Sequence, residues 1–247
     1  MIYITGDTHR DFSRIQWFCR KHHTTTNDVM IILGDAGINY LGDCRDDYFK
    51  KGLSRLPITL FCIHGNHERR PSVELGYELV EFHGDAAYMQ KNYPNIIFAR
   101  DGSVYDFAGH KCLVCGGAYS IDKFYRLSDG RLWFSDEQPD DVTKARVEAK
   151  LTSLNHTIDV ILSHTCPLKY IPTEMFLSGI DQSTVDTSTE EWLDHIEDNT
   201  HYHKWYCGHY HTDKVIDKMR FLFEDIIAIS PDDQESKLAE SEAKSIA

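Results

Sequence analysis

The chain has 247 residues, of which 41% are hydrophobic and 26% charged, and its formal net charge is -13. This length predicts one large α/β domain, and the composition excludes a wholly disordered or fibrous protein. Nucleic-acid affinity rests largely on neutralising phosphates, and a chain this acidic therefore disfavours long nucleic acids as partners. A small substrate held by local positive charge is favoured instead.

The apolar stretches are short, and the longest cover residues 29–33 and 226–229. Both are far below the roughly 20 residues that span a bilayer, so no membrane span is expected. The N-terminus shows no secretory signal, and we therefore expect a cytoplasmic protein with reduced thiols at its seven cysteines. Cys112 and Cys115 are three residues apart in a strand-like run, which predicts core packing on opposite sheet faces rather than a shared metal.

Strand-like and helix-like segments alternate along the first 82 residues. Apolar runs predict strands at 2–4, 29–33 and 58–63, and amphipathic stretches between and after them predict helices near 11–23, 44–54 and 72–82. Such alternation is typical of a layered sheet with helical crossovers.

After residue 103 the pattern changes. The sequence predicts a hairpin at 103–107 and 111–115, a helix at 139–153, and strands at 159–162, 205–207, 215–218 and 219–227. We assign residues 1–230 to one domain, with 116–137 as an insertion near its site. Residues 231–247 contain no aromatic side chain and are predicted to be a flexible acidic tail.

Metal-ligand side chains follow directly after five of the apolar runs. Ligands in open α/β sheets bind at the carboxyl ends of the strands, so these side chains are expected to converge. Glycines precede four of them and fit tight turns that aim the side chains at one point. The candidate metal ligands are Asp7, His9, Asp35, Asn66, His164, His209 and His211.

Imidazole combined with carboxylate favours manganese, iron or zinc over calcium, which prefers an all-oxygen shell. Two divalent ions carry four positive charges. Asp7, Asp35 and a bridging hydroxide remove three, which leaves one to attract a phosphate. The sequence therefore predicts two divalent metal ions as cofactors and a phosphorylated substrate.

These motifs resemble those of the calcineurin-like metallophosphoesterases, and the segment 116–137 resembles one found in small bacterial and phage members of that family. The family pattern GDxH, GDxx, GNH[ED], a later His and GHxH is met in order by Gly6-Asp7-Thr8-His9, Gly34-Asp35, Gly65-Asn66-His67-Glu68, His164 and Gly208-His209-Tyr210-His211. The resemblance implies a β-sandwich flanked by helices, with a dinuclear metal site at the strand ends. It also implies hydrolysis of a phosphomonoester or phosphodiester by a bridging hydroxide.

The resemblance further implies a role for each residue. It assigns Asp7, His9 and His211 to the first ion, Asn66, His164 and His209 to the second, and Asp35 to both. His67 becomes the catalytic residue that contacts the phosphate or protonates the leaving group.

Two departures from related enzymes bear on the substrate. Protein Ser/Thr phosphatases carry Asp and Arg where this chain has Ile38 and Asn39, which argues against a phosphoprotein phosphatase. A non-catalytic scaffold of the same fold is the other alternative, but it would be expected to have lost ligands or His67. A small substrate such as a nucleotide or cyclic nucleotide is the leading prediction; the oligomeric state is not indicated.

Three cations are candidate substrate contacts. Arg10 stands where the family usually has glycine, and it is equally consistent with a solvated side chain. The segment 116–137 supplies Lys123 and Arg126, and its aromatic residues could stack on a base. Simple packing of those aromatics is the alternative.

Overall fold

The computed structural model describes residues 1–230 and the backbone of Ser236 and Lys237. The predicted acidic tail at 231–247 otherwise lies outside the described residues. The first half of the fold comprises β1 (Ile2–Thr5), α1 (Ser13–His22), β2 (Val29–Ile32), α2 (Cys44–Leu53), β3 (Thr59–Cys62), β4 (Glu78–Phe82), β5 (Asp85–Met89) and β6 (Ile96–Ala99).

The second half adds β7 (Val104–Phe107), β8 (His110–Cys115), α3 (Lys123–Ser128), α4 (Asp141–Ser153), β9 (Val160–Ser163), α5 (Ser188–Asn199), β10 (Lys204–Cys207), β11 (Lys214–Ile216), β12 (Met219–Phe221), β13 (Ile226–Ile229) and β14 (Ser236–Lys237). Three short 3₁₀ turns lie between β9 and α5. Helix starts are capped where the sequence offers a side chain: Asp43 accepts from the Arg45 N–H before α2, and Asp140 accepts from the Thr143 N–H before α4.

The strands form two mixed sheets. One has the order β14-β13-β1-β2-β3-β6-β5-β4, with β1, β2, β3 and β6 parallel; the other has the order β11-β12-β10-β9-β8-β7, with β8, β9, β10 and β12 parallel. Apolar residues of both sheets, including Phe61 and Leu162, pack against each other in one buried cluster. The fold is therefore a β-sandwich, as predicted.

Helices cover the outer face of each sheet. Ile15 and Phe18 of α1 pack against Met30 of the larger sheet, and Val147 of α4 and Leu193 of α5 pack in a cluster of the smaller one. Burial of β1, β2, β3 and β9 at every position explains their unbroken apolar runs. No helix in the described part of the chain is long and apolar enough to cross a membrane.

Most predicted elements are present, but two predictions are wrong. The helix predicted at 72–82 is absent, and its second half is β4, which pairs with β5 through a turn at Gly84 (φ 92°). The strand predicted at 219–227 is two strands in different sheets. The break is stabilised by Asp213, whose carboxylate accepts hydrogen bonds from the N–H groups of residues 223–225.

Cys112 and Cys115 pack in the core on opposite faces of their sheet, as predicted. Cys112 belongs to the core between the sheets, and Cys115 belongs to the core under α4 and α5, so the two thiols lie on opposite faces of β8. Burial raises the pKa of both thiols. A metal shared by them is excluded by this arrangement.

Candidate metal centre

The seven candidate ligands lie at the carboxyl ends of β1, β2, β3, β9 and β10. Because β1, β2 and β3 are parallel neighbours in one sheet and β9 and β10 are parallel neighbours in the other, their ends meet along one edge of the sandwich. Two groups within this set hold their ligand atoms within 4.8 Å of one another, namely Asp7 with His9 and His211, and Asp7 with Asp35 and His164.

The group formed by Asp7, His9 and His211 faces solvent. Nε2 of His9 lies 2.8 Å from Nε2 of His211, and these two nitrogens lie 3.7 Å and 3.3 Å from Oδ2 of Asp7. Two imidazole nitrogens cannot present lone pairs to each other at this distance unless a proton or a cation lies between them. Oδ2 of Asp7 is buried, and neither of these nitrogens nor any other group within residues 1–230 makes a well-aligned hydrogen bond to it. This group is suited to a cation.

The second group is buried. Nδ1 of His164 lies 2.7 Å from the carbonyl oxygen of Leu33, which only accepts, so the proton belongs on Nδ1 and the lone pair on Nε2. That Nε2 lies 2.8 Å from Oδ1 of Asn66, whose Nδ2 donates to Oγ of Ser120. Two acceptors therefore face each other without a proton between them. The ring of His209 lies 5.0 Å from that of His164.

Asp35 lies between the two groups. Its Oδ1 accepts a hydrogen bond of 2.8 Å from the His67 N–H and lies 3.6 Å from Nε2 of His164. Its Oδ2 lies 3.9 Å from Nδ1 of His9 and 3.9 Å from Nε2 of His67. One carboxylate thus reaches both groups and also approaches the candidate catalytic histidine.

The local backbone is strained where ligands are presented. His9, Asp35, His209 and His211 have φ values of 44°, 48°, 65° and 49°. Such left-handed residues other than glycine cost about 1 to 3 kcal/mol each and concentrate at functional sites. Two glycines permit close approach of the carboxylates, because a Cβ at Gly65 would lie 2.0 Å from Oδ1 of Asp35 and one at Gly208 would lie 2.3 Å from Oδ1 of Asp7.

The electrostatic environment keeps the carboxylates ionised. Burial raises the pKa of Asp7 and of Asp35, but the positive charge of the neighbouring histidines in their protonated form, His164 foremost, outweighs it and lowers both pKa values. Burial also lowers the pKa of His209 to about 3 and lowers the pKa of His67. The nearby Asp7 carboxylate, by contrast, raises the pKa of His211. Ionised carboxylates together with the neutral imidazole of His209 are donors of the kind that a divalent cation requires.

The three candidate substrate cations have different surroundings. Nη1 of Arg10 donates to the carbonyl of Gly37 and to Asp46, and its guanidinium lies 4.3 Å from the centre of the Phe49 ring, which corresponds to a structural role. The Lys123 ammonium lies 4.2 Å from the centre of the Trp133 ring. Nε of Arg126 donates to Asp122 at 2.7 Å.

Three residues that support the site were not singled out from the sequence. Arg14 on α1 donates to the carbonyls of Gly6 and Asp7, the buried Glu68 accepts from the N–H groups of Ala36 and Ile38, and Ser120 accepts from Asn66. Glu68 belongs to the GNH[ED] motif, so its position was visible. Arg14 and Ser120 act through contacts for which the sequence offers no pattern.

A family model described as calcineurin-like phosphoesterase matches residues 1–229. No curated protein matches the chain in sequence. Among solved structures, the crystal structure of the protein TT1561 of Thermus thermophilus has a TM-score of 0.54 at 12% identity, over 96% of each chain. At this identity the likeness extends to the fold alone.

A phosphopantetheinyl hydrolase from Mycobacterium tuberculosis also matches, with 15% identity over 100% of this chain and 98% of that one. Its TM-score of 0.40 is too low to link the two proteins in function.

Proposed function

The chain belongs to the calcineurin-like phosphoesterase family, whose members hydrolyse phosphate esters with metal ions, and from this membership we propose that it acts on a small phosphorylated molecule. A nucleotide or cyclic nucleotide is the leading candidate. We propose that the two ions are held by Asp7, His9 and His211 on the open side and by Asn66, His164 and His209 on the buried side, with Asp35 between them.

The observation that carries this proposal is the pair of unsatisfied acceptor groups. Oδ2 of Asp7 is buried and faces Nε2 of His9 at 3.7 Å and Nε2 of His211 at 3.3 Å, without a well-aligned hydrogen bond from either or from any other residue of the described part of the chain. Oδ1 of Asn66 and Nε2 of His164 face each other at 2.8 Å with their protons directed elsewhere. Leaving such groups unpaired is costly, and a cation satisfies them. Manganese, iron and zinc fit the mixed nitrogen and oxygen donors.

Two such ions, when bound, supply the positive charge that polarises the phosphoryl group and makes water a competent nucleophile at neutral pH. The protein holds the donors in place through the contacts of Leu33, Ser120 and Arg14 described above. His67 lies at the edge of the site with its backbone N–H fixed on Asp35, and we assign it a contact with the phosphate or the protonation of the leaving oxygen.

Among the candidate substrate cations, Arg126 is the one we retain as a phosphate contact. Nη1 of Arg10 is bound by Asp46 and the Gly37 carbonyl, and its guanidinium lies over the Phe49 ring. Lys123 lies over Trp133, whereas Arg126 is paired with Asp122 through Nε. The carboxylates at the site and the chain's net charge of -13 make a local guanidinium valuable for an anionic substrate.

The test is hydrolysis by metal-stripped protein with Mn²⁺, Fe²⁺, Zn²⁺ or Ca²⁺ added back singly. We expect turnover of p-nitrophenyl phosphate or bis-p-nitrophenyl phosphate with at least one transition metal and none with Ca²⁺, because calcium prefers an all-oxygen shell. The ratio of the two activities decides between a phosphatase and a phosphodiesterase. Absence of turnover with every metal would sink the proposal. A nucleotide panel with the active metal then addresses the substrate.

A further inference from the structure

The segment 116–137 is attached to the loop that carries Asn66 and His67. The Gly117 N–H donates to the carbonyl of His64 at 2.8 Å, and Ser120 accepts a hydrogen bond of 2.9 Å from Asn66. Asp122 follows two residues later, so its Cα lies within roughly 7 Å of that of Ser120. The start of α3 is therefore fixed beside the candidate metal centre.

Asp122 occupies the residue before α3 but does not cap the helix. No backbone N–H of α3 donates to its carboxylate. Its Oδ2 instead accepts from Nε of Arg126 at 2.7 Å, and its Oδ1 is buried with no hydrogen-bond partner within residues 1–230. Aspartate at such a position normally caps the helix, and a buried carboxylate oxygen without a partner costs stability. Asp122 therefore pairs with Arg126 instead of capping the helix.

One edge of the Arg126 guanidinium is hydrogen-bonded within the protein, and the other edge is available to donate to a ligand. Nε is bound by Asp122, and Nη1 makes only long contacts of 3.4 Å with the Tyr40 hydroxyl and the Leu132 carbonyl. In the described part of the chain Nη2 has no hydrogen-bond partner. The side chain is only 16% exposed, so this is not an ordinary surface arginine.

Arg126 also lies beside the loop that follows β2 and carries Asp35, because its Nη1 is 3.4 Å from the hydroxyl of Tyr40 on that loop. The loop after β2 offers no cation for this place, since Ile38 is fully buried and Asn39 accepts a hydrogen bond from the Tyr77 hydroxyl inside the protein.

A second acid–arginine pair in the same segment provides a contrast. Arg131 and Asp129 also form an ion pair, but their side chains are 56% and 47% exposed. Exposed pairs of this kind contribute little. The Asp122–Arg126 pair has the same composition and lies in the same segment, but the side chains of Arg126 and Asp122 are 16% and 37% exposed. The burial of Arg126 is therefore what separates the two pairs.

We propose that Asp122 is a positioning residue for phosphoester hydrolysis, which holds the Arg126 guanidinium so that Nη2 donates to a phosphoryl oxygen of the substrate. This inference rests on the proposed function. Asp122 acts only through Arg126: it fixes Nε and thereby the plane of the guanidinium. A substrate phosphate bound there completes the donor set of Arg126.

The test is a double-mutant cycle of Asp122→Asn, Arg126→Gln and the double variant in metal-loaded protein. We expect each single variant to lose roughly 10- to 100-fold in kcat/KM, the effect of one or two charge-assisted hydrogen bonds. Because Asp122 acts through Arg126, the double variant should be no worse than Arg126→Gln alone. Metal content and thermal midpoint should match those of the wild type, and Asp129→Asn with Arg131→Gln should behave as wild type.

Affinity for inorganic phosphate, measured by calorimetry on the same metal-loaded proteins, gives a second readout that needs no turnover. Asp122→Asn and Arg126→Gln should weaken phosphate binding by a similar factor. An Asp122→Asn variant with wild-type phosphate affinity, or independent additive losses in the cycle, would overturn the inference. A wild-type protein that binds phosphate through this pair and hydrolyses nothing would instead contradict the proposed function.

Discussion

The two halves of the candidate metal centre differ in how their side chains are held. On the open side, the side chains of His9 and His211 are 37% and 46% exposed, and within residues 1–230 neither ring donates a hydrogen bond to a backbone carbonyl. On the buried side, His164 is bonded to the Leu33 carbonyl and Asn66 to Ser120, and both side chains are almost completely buried.

This difference indicates that the two halves have different roles in binding the ions. A ligand whose second polar atom is fixed has one orientation and loses little entropy when an ion binds, whereas an unsupported exposed imidazole must be ordered by the ion itself. We therefore expect the buried half to bind its ion more tightly and the open half to be the side from which substrate and ions enter. Asp35 couples the two.

The largest effect is expected from Asp35→Ala, which removes the carboxylate that reaches both halves. Without it the two cations are less shielded from each other, and metal-dependent hydrolysis should be abolished. Metal analysis should show the loss of at least one ion. Full occupancy with normal turnover would exclude Asp35 as the group between the ions.

Replacing one histidine from each half tests the comparison directly. His164→Ala and His211→Ala should both lose most activity, but only His164 is fully buried, so only its removal leaves a cavity and an unpaired Leu33 carbonyl. In metal-stripped protein we expect His164→Ala to lower the free energy of unfolding by about 2 to 4 kcal/mol. The change for His211→Ala should be within about 0.5 kcal/mol.

Denaturant unfolding of the two proteins in the presence of a chelator measures this difference. Equal destabilisation would mean that the two halves are held alike and that exposure is a poor guide to their roles.

His67 belongs to neither half, and its replacement should separate metal binding from catalysis. His67→Ala should retain both ions and lose roughly 10²- to 10⁴-fold in kcat, the usual contribution of a positioned acid or base. The loss should shrink for substrates with good leaving groups, because these need little protonation. A fall in metal content instead would make His67 a ligand.

The sequence was most informative where the functional residues directly follow a strand along the chain. Asp7, Asp35 and Asn66 lie within a few residues of strands that are mostly apolar and buried at every position, so both the strands and the polar ends were predictable. The side chains lie together in the fold, and their roles as ligands stay predictions. The family resemblance supplied the assignment of each residue to an ion.

Long-range contacts account for what the sequence could not predict. The carboxylate of Asp213 ends β12 by binding three N–H groups that follow it, and strand β4 is defined by its pairing with β5. Neither contact leaves a periodic pattern in the chain. The support that Ser120 gives to Asn66 spans 54 residues and depends on how segment 116–137 folds back. Such residues become visible only in three dimensions.

The smallest effect on catalysis is expected behind the buried half, at Glu190 on α5, where the predicted change is one of stability. Its Oε1 accepts a hydrogen bond of 2.7 Å from Thr165, the residue after His164, while Oε2 is buried and has no partner within residues 1–230. Burial raises the pKa of Glu190 from 4.5 to about 7. The folded protein therefore favours the protonated acid, and stability should be lost as pH rises between these two values.

The difference between 4.5 and about 7 corresponds to roughly 3 kcal/mol of unfolding free energy. Glu190→Gln cannot ionise, so in metal-stripped protein its free energy of unfolding, relative to wild type, should rise by up to that amount from pH 4.5 to pH 7.5. Glu191→Gln is the matched control, because Glu191 is the next residue along the helix and is exposed; its difference from wild type should not change over this range. A constant difference between Glu190→Gln and wild type would mean that Glu190 is ionised in the fold. Thr165 would then hold a charged carboxylate behind His164, and the buried half would have one negative charge of its own, as the open half has at Asp7.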